Sequence, residues 1–447
     1  MQNSNRQIAV ALWMIVVFTI VQLVLLFVFG YTPYPDSNGY CLLAKDAVAN
    51  NDIYPVREKL TELSFLWNVG AINAVVTSLK LFGSVTPLLI LYSLMKGATA
   101  LLLFLWVRNL TNERIALTTL VIYLLYPANY GESTSALSEL PFMFFVTAAL
   151  WLMSRKKLLA CGLSIAIANW FRPMGLVYIV GLTLYFLFLY AAEKRDTLKL
   201  FLRKSSVMIV GFVLGLTIIG SLAYHRTGHF FYQAATGWMA LMQYSWDNDS
   251  DTAPDSVLFA GGNPNIIVSE KPTDVMQKDS VWRSHFFLWL GQNKGEYLRQ
   301  MPRKLLKTYI SDNTTFCAFL PDKTKRKYMY EELSMESLCR DFPRFSPTQL
   351  LTIVNLCFYY VVIILSFLSV LSEVKRCHHR RYNQATATEK ISSANLPTIF
   401  LCTIIPVVGT AVLLFFGHGE SRFHQPFMPL FFTMTAVFVL GLRRGRA

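Results

Sequence analysis

Asp36 lies in Tyr31-Thr-Pro-Tyr-Pro-Asp36-Ser37-Asn-Gly-Tyr40, a stretch that follows directly on the first long apolar run of the chain. A carboxylate at such a place can take the proton of a hydroxyl as that hydroxyl attacks an electrophile. The same residue types also make an ordinary solvated turn, since Pro, Asp, Asn and Gly are all turn formers. Other ionisable residues recur in or beside apolar runs: Lys96, Glu132, Glu139, Arg172, and the cluster His418, Glu420, Arg422 and His424. Each is costly at membrane depth and is therefore a functional suspect. An arginine there offers forked donors to phosphate or carboxylate oxygens. The plainer alternative is a side chain that snorkels to the interface, and Lys96 has an equally plain one, as a lock between helices.

Composition defines the elements that must position these groups. Of 447 residues, 54% are hydrophobic and only 15% charged, more apolar surface than one soluble core can hide, so the chain reads as a polytopic membrane protein. Ten apolar runs are candidate spans: 8–29, 87–107, 115–128, 140–153, 158–171, 174–192, 207–224, 350–371, 396–416 and 426–442. No small-residue cleavage site precedes Tyr31, so the first run is read as a retained anchor.

The net charge of +14 does not point to nucleic acid, because Lys and Arg gather in short clusters between the apolar runs, as cytoplasmic loops do. Arg108 and Arg114, Arg155 to Lys157, Lys194 to Lys204, Lys375 to Lys390 and Arg443 to Arg446 then share the inner side with both termini. The segments 31–86, 129–139, 172–173, 225–349 and 417–425 share the outer side. That sidedness gathers Asp36, Glu132, Glu139, Arg172, His418, Glu420, Arg422 and His424 at one membrane face. Pro173 ends the helix before it and biases Arg172 away from helical geometry.

The expected organisation is a transmembrane core over 1–224 with a first outer loop at 31–86, a large outer region at 225–349, and C-terminal transmembrane helices over 350–447. Within the first loop, Ser64 to Phe82 is amphipathic enough to lie in the interface plane. Within the large region, Gly261 to Asn265 reads as a turn, and Arg303-Lys304-Leu-Leu-Lys307 and Lys323 to Lys327 read as headgroup-facing or solvated charge. Seven cysteines carry no CxxC pair, and only Cys41, Cys317 and Cys339 fall on the outer side, where a disulfide persists. His225 and His229 have helical spacing but no third ligand near them in sequence, so no metal site is expected and none is entered among the candidates.

The order of these features resembles a known family. Asp36-Ser-Asn-Gly-Tyr40 after the first helix is followed by Tyr54-Pro55, by Leu81-Phe82-Gly83, by Ser138-Glu139-Leu-Pro141-Phe142 opening a span, by Phe171-Arg172-Pro173 between spans, and by Gly417-His418-Gly-Glu420-Ser-Arg422-Phe-His424-Gln-Pro426 before the last span. This is similar to the polytopic glycosyltransferases of the GT-C class, in particular the bacterial members akin to protein O-mannosyltransferases and the lipid A aminoarabinose transferase. Relatives often carry Asp-Glu where this chain has Asp36-Ser37, and a Lys-Pro-Pro-Leu stretch where it has Glu62 to Leu66. These departures bear on metal dependence and acceptor class.

The resemblance implies an all-helical, GT-C-like fold of about ten spans, with a mixed extracytoplasmic region between spans seven and eight. It implies a polyprenyl-phosphate-linked sugar as donor, a lipid, glycan or protein as acceptor, surrounding membrane lipids as partners, and no obligatory cofactor, with a divalent metal not indicated. Asp36 would be the base, and Tyr40, Lys96, Glu132, Glu139, Arg172, His418, Glu420, Arg422 and His424 would bind substrate. Inversion at the sugar carbon follows from a single displacement, in a bacterial cytoplasmic membrane with the site on the outer face. Two other classes fit parts of the pattern. An O-antigen polymerase or ligase shares the span number and outer loop but does not need an acid straight after the first helix; a lipid-linked sugar transporter or flippase would show repeated halves, and the chain has no internal repeat.

Overall fold

The computed structural model describes residues 2–32, 34–54, 68–233, 238, 241, 275–312, 347–383, 395–417 and 421–444. Every regular element among the described residues is helical. In chain order these are α1 (Gln2–Phe29), α2 (Pro35–Ala49), α3 (Val69–Phe82), α4 (Thr86–Leu110), α5 (Glu113–Leu125), α6 (Glu139–Ser154), α7 (Leu158–Phe171), α8 (Gly175–Ala191) and α9 (Leu198–Thr227). Then come α10 (Val275–Gln292), α11 (Lys294–Arg299), α12 (Met301–Tyr309), α13 (Pro347–Asn383), α14 (Leu396–Phe416) and α15 (Met428–Arg444). Short 3-10 segments at Pro127–Asn129, Glu132–Thr134 and Ser421–Phe427 sit between helices.

All ten apolar runs fall on helices, yet they are unequal. Among the described residues six helical stretches, in α1, α4, α9, α13, α14 and the 3-10 segment with α15, are long and apolar enough to cross a membrane. The 3-10 turns of 127–134 and α6 make a further span only as a pair bent by 118°. Helices α5, α7 and α8 have 13, 14 and 17 residues, which at about 1.5 Å per residue fall short of a hydrocarbon core roughly 30 Å thick. Proline cuts these elements short: Pro127 stands just beyond α5, and Pro173 separates α7 from α8. The protein is a multi-pass membrane protein, all-helical among the described residues.

Packing runs from α1 to α4, from α4 to α5 and α6, from α6 to α7 and from α7 to α9. Helix α8 lies against α14, and α15 joins α13 to α5, which ties the C-terminal helices to the N-terminal half. One continuous apolar core includes Trp106, Tyr92, Tyr123, Phe142 and Tyr178. Large apolar side chains elsewhere remain outside, with Trp13 71% and Phe27 69% exposed on α1, and others on α9 and α13. Such faces suit hydrocarbon, since membrane helices satisfy their backbone internally and need no apolar partner.

The segment 31–86, expected from the sequence to be the first outer loop, is ordered into helices where it is described. Gly30 takes a positive φ of 65° and its N–H closes onto the Leu26 carbonyl, so the chain leaves α1 sharply. The interfacial stretch anticipated over 64–82 appears as α3, which packs on α2, α4 and α7. The basic stretch at 303–307 divides: Arg303 and Lys307 are exposed, while Lys304 is buried with its Nζ 5.0 Å from the centre of the Tyr297 ring. Burial pushes that ammonium down to about 8. The stretches 261–265 and 323–327, Cys317, Cys339, His418 and Glu420 lie outside the described residues.

Candidate functional site

The acidic stretch is a helix opening and not a free turn. Tyr34 is extended, α2 begins at Pro35, and the Ser37 hydroxyl accepts the Tyr34 N–H at 2.8 Å and donates to the Tyr34 carbonyl at 2.9 Å. Ser37 is thereby fully buried as part of the helix start. Asp36, in the first turn, gains from the positive end of the helix dipole, and its side chain is 26% exposed. It pairs with Nη1 of Arg422, 386 residues away in sequence.

Arg172 caps α7 in an extended conformation, as the following proline requires. Asn169 stitches the break, its side-chain oxygen accepting the Gly175 N–H at 3.0 Å. The bend points Arg172 out of line with both helices, onto Glu139 in the first turn of α6. Glu139 is almost fully buried; its Oε1 meets both Arg172 and, at 3.6 Å, Nη1 of Arg422, and its Oε2 accepts a hydrogen bond from Ser138 at 3.1 Å. The four charges therefore alternate as Asp36, Arg422, Glu139 and Arg172. Isolated, any of them would be expensive to bury; alternating, each has an opposite neighbour. Aromatic rings flank the guanidinium groups, Phe423 at 5.3 Å from Arg172 and Tyr34 at 5.8 Å from Arg422.

Tyr40, one helical turn after Asp36, completes this side. Its hydroxyl accepts from Asn68 at 3.2 Å, and Asn68 also donates to Ser138 at 3.0 Å. Burial, with the Asp36 and Glu139 charges adding to it, raises the Tyr40 phenol well above the ordinary tyrosine range, so it keeps its proton at neutral pH. A cavity of about 430 Å³ is lined by Gly70, Asn73, Phe82, Leu88, Trp170 and Phe171 among others, and by none of Asp36, Tyr40, Glu139, Arg172 and Arg422. Phe171 immediately precedes Arg172, while Phe82 is 63% exposed at the other end of α3.

Of the residues singled out in the sequence, the structure brings Asp36, Tyr40, Glu139, Arg172 and Arg422 together. Lys96 and Glu132 form a separate buried ion pair between α4 and the 3-10 turn Glu132–Thr134. The turn is held to the chain before α2 by Thr32, whose N–H reaches the Thr134 carbonyl at 2.9 Å. His424 is fully buried, faces Asp312 at 3.6 Å, and lies between the rings of Tyr309 and Tyr359. Among the described residues no group of three or more His, Cys, Asp and Glu is placed to hold a metal ion.

Sequence reasoning missed Asn68, Phe423 and Asp312. Asn68 stands among apolar residues of the amphipathic stretch 64–82 and Asp312 in a polar stretch outside any motif, and nothing in their spacing distinguishes them. Phe423 lies inside the quoted stretch before the last span, and alternation with Arg422 and His424 was its only signal.

No protein-family model and no curated protein sequence matches the chain. Its fold is similar to the crystal structure of the Archaeoglobus fulgidus oligosaccharyltransferase in the apo form, with a TM-score of 0.51 and 10% sequence identity. The match covers 98% of this chain and 51% of that one, so the chain spans about half the length of its structural neighbour. The likeness concerns the fold alone.

Proposed function

We propose that the protein is an integral-membrane glycosyltransferase that moves a sugar from a polyprenyl-phosphate donor to an extracytoplasmic acceptor with inversion. The observation that carries this reading is the chain of charges Asp36, Arg422, Glu139 and Arg172. Oligosaccharyl transfer is the activity given by name to a protein of similar fold.

In the reaction, the acceptor hydroxyl oxygen attacks the anomeric carbon, and the bond from that carbon to the phosphate oxygen breaks. The electron pair leaves with the polyprenyl phosphate, and the hydroxyl proton goes to Asp36. Negative charge grows on the phosphate, which is where Arg172 and Arg422 act. Without donor, Arg422 holds Asp36 in an ion pair. A donor phosphate competes for the guanidinium group, so its arrival releases Asp36 as it fills the clamp. Glu139 keeps both arginines at one place throughout. The cavity beside Phe171 and Trp170 suits the first isoprene units of the lipid, and Phe82 marks its way to the bilayer. The setting we infer is the bacterial cytoplasmic membrane, with the site on the outer face.

The test uses the purified full chain in lipid vesicles with a mixed pool of polyprenyl-phosphate sugars and acceptors. Asp36→Asn keeps the size and the helix start but cannot take the proton, and transfer falls by about 10²-fold or more. Full activity in that variant ends the general-base role. No transfer by the unchanged protein, together with movement of the lipid-linked sugar across the vesicle, shows a transporter instead.

A further inference from the structure

The loop before the last span carries two ionisable side chains into different surroundings. Arg422 meets Asp36 and Glu139 at the site. His424, two residues on in the same 3-10 segment, is fully buried behind it. A 3-10 helix has about three residues per turn, so neighbouring side chains leave it in different directions and turn together. Whatever fixes the rotation of His424 fixes that of Arg422.

The contacts of His424 are specific. Nδ1 lies 2.7 Å from the Thr308 carbonyl, which only accepts, so that nitrogen carries a proton. Nε2 faces Oδ1 of Asp312 at 3.6 Å, and both residues are fully buried. Gln425 donates to the same Asp312 Oδ1, at 3.4 Å. Asp312 is itself held: Asn355 on α13 donates to its backbone carbonyl at 2.5 Å and accepts the Ala128 N–H at 3.0 Å. Tyr309 and Tyr359 cover the imidazole, and their hydroxyls bond to Thr410 at 2.6 Å and to the Tyr309 carbonyl at 2.9 Å. Three parts of the chain, 308–312, 355–359 and 424–425, thus meet in one buried polar knot. Apolar side chains would serve packing alone at lower cost, because a buried carboxylate must be compensated.

We infer that Asp312 and His424 are positioning residues for Arg422, fixing the rotation of the segment 421–427 so that the guanidinium group meets the donor phosphate. This rests on the proposed role of Arg422 as a phosphate clamp. Asp312 touches neither Asp36 nor Arg422 through any hydrogen bond or ion pair given above, so its influence on the site passes through His424 and Gln425.

The experiment measures binding of farnesyl phosphate, a short polyprenyl phosphate, to the full chain in nanodiscs by tryptophan fluorescence, with thermal unfolding recorded in parallel. Asp312→Asn and Arg422→Ala are each expected to weaken binding by about tenfold or more. The double variant is expected to bind no more weakly than Arg422→Ala alone, because a positioning residue has nothing left to position. Losses that multiply, or a lower unfolding temperature with unchanged binding in Asp312→Asn, overturn the inference and leave Asp312 a structural residue. Unchanged binding in Arg422→Ala overturns the clamp itself, a different result. If Asp312→Asn does not fold, His424→Asn, which keeps a donor for the Thr308 carbonyl, takes its place under the same criteria. Failure of both to fold assigns the knot to stability alone and overturns the inference.

Discussion

Arg422 lies within reach of two carboxylates that come from helices far apart in the chain, and Arg172 shares one of them. An arginine that merely snorkelled would direct its head to water, whereas the Arg172 side chain is 8% exposed and the Arg422 side chain 15%. Their burial has a chemical consequence, because a guanidinium group in a water-poor site stabilises a nascent phosphate charge more than an exposed one. Either arginine changed to alanine is expected to lower turnover by roughly 10²- to 10³-fold, the usual range for a lost transition-state donor. Lysine restores the charge but not the fork and should recover only part of the rate. Single-turnover transfer assays on properly inserted variants decide this, and wild-type rates in both alanine variants return these residues to an interface role.

The site depends on where helices stop. Pro173 places Arg172 at the break between α7 and α8, and the opening turns of α2 and α6 hold Asp36 and Glu139. The position of α7 is in turn set by its close approach to α9. A side chain at Gly162 would bring its Cβ within 2.0 Å of the Met208 carbonyl oxygen, and one at Gly211 within 2.2 Å of the Leu159 carbonyl oxygen. Backbone atoms cannot step aside as a flexible side chain can, so these glycines let the two helices touch. Gly162→Val is expected to separate them and to lower stability by about 1 to 3 kcal/mol, the common cost of overpacking. Thermal unfolding in detergent measures it; an unchanged midpoint shows that α7 and α9 part without cost.

At the scale of the whole molecule, the positive-inside pattern expects both termini on the cytoplasmic side and 225–349 across the membrane. Reporter fusions after Arg446 and within 240–340 should report opposite sides, and agreement between them refutes that topology. Much of the architecture is written in local composition. Apolar runs become helices wherever they occur, because a segment in hydrocarbon must satisfy its own backbone, and all ten runs lie on helices. Pro173 marks a break by its own chemistry, and Asp36, Glu139, Arg172 and Arg422, which the positive-inside pattern expects on one side, meet in one cluster. The runs 115–128 and 158–171 are already short for a crossing in the sequence, and Pro127, Pro173 and the basic turns bound α5, α7 and α8. Sidedness could not tell which charges meet. Lys96 and Glu132 neutralise each other, His424 turns inward to Asp312, and Arg422 bridges Asp36 and Glu139. Those pairings depend on helix rotation and on long-range packing of α15 against α5 and α13, which put residue 422 beside residue 36. Sequence determines which residues cannot tolerate lipid unpaired; only the tertiary structure decides their partners, because a charge selects its partner by distance in space and not by distance along the chain.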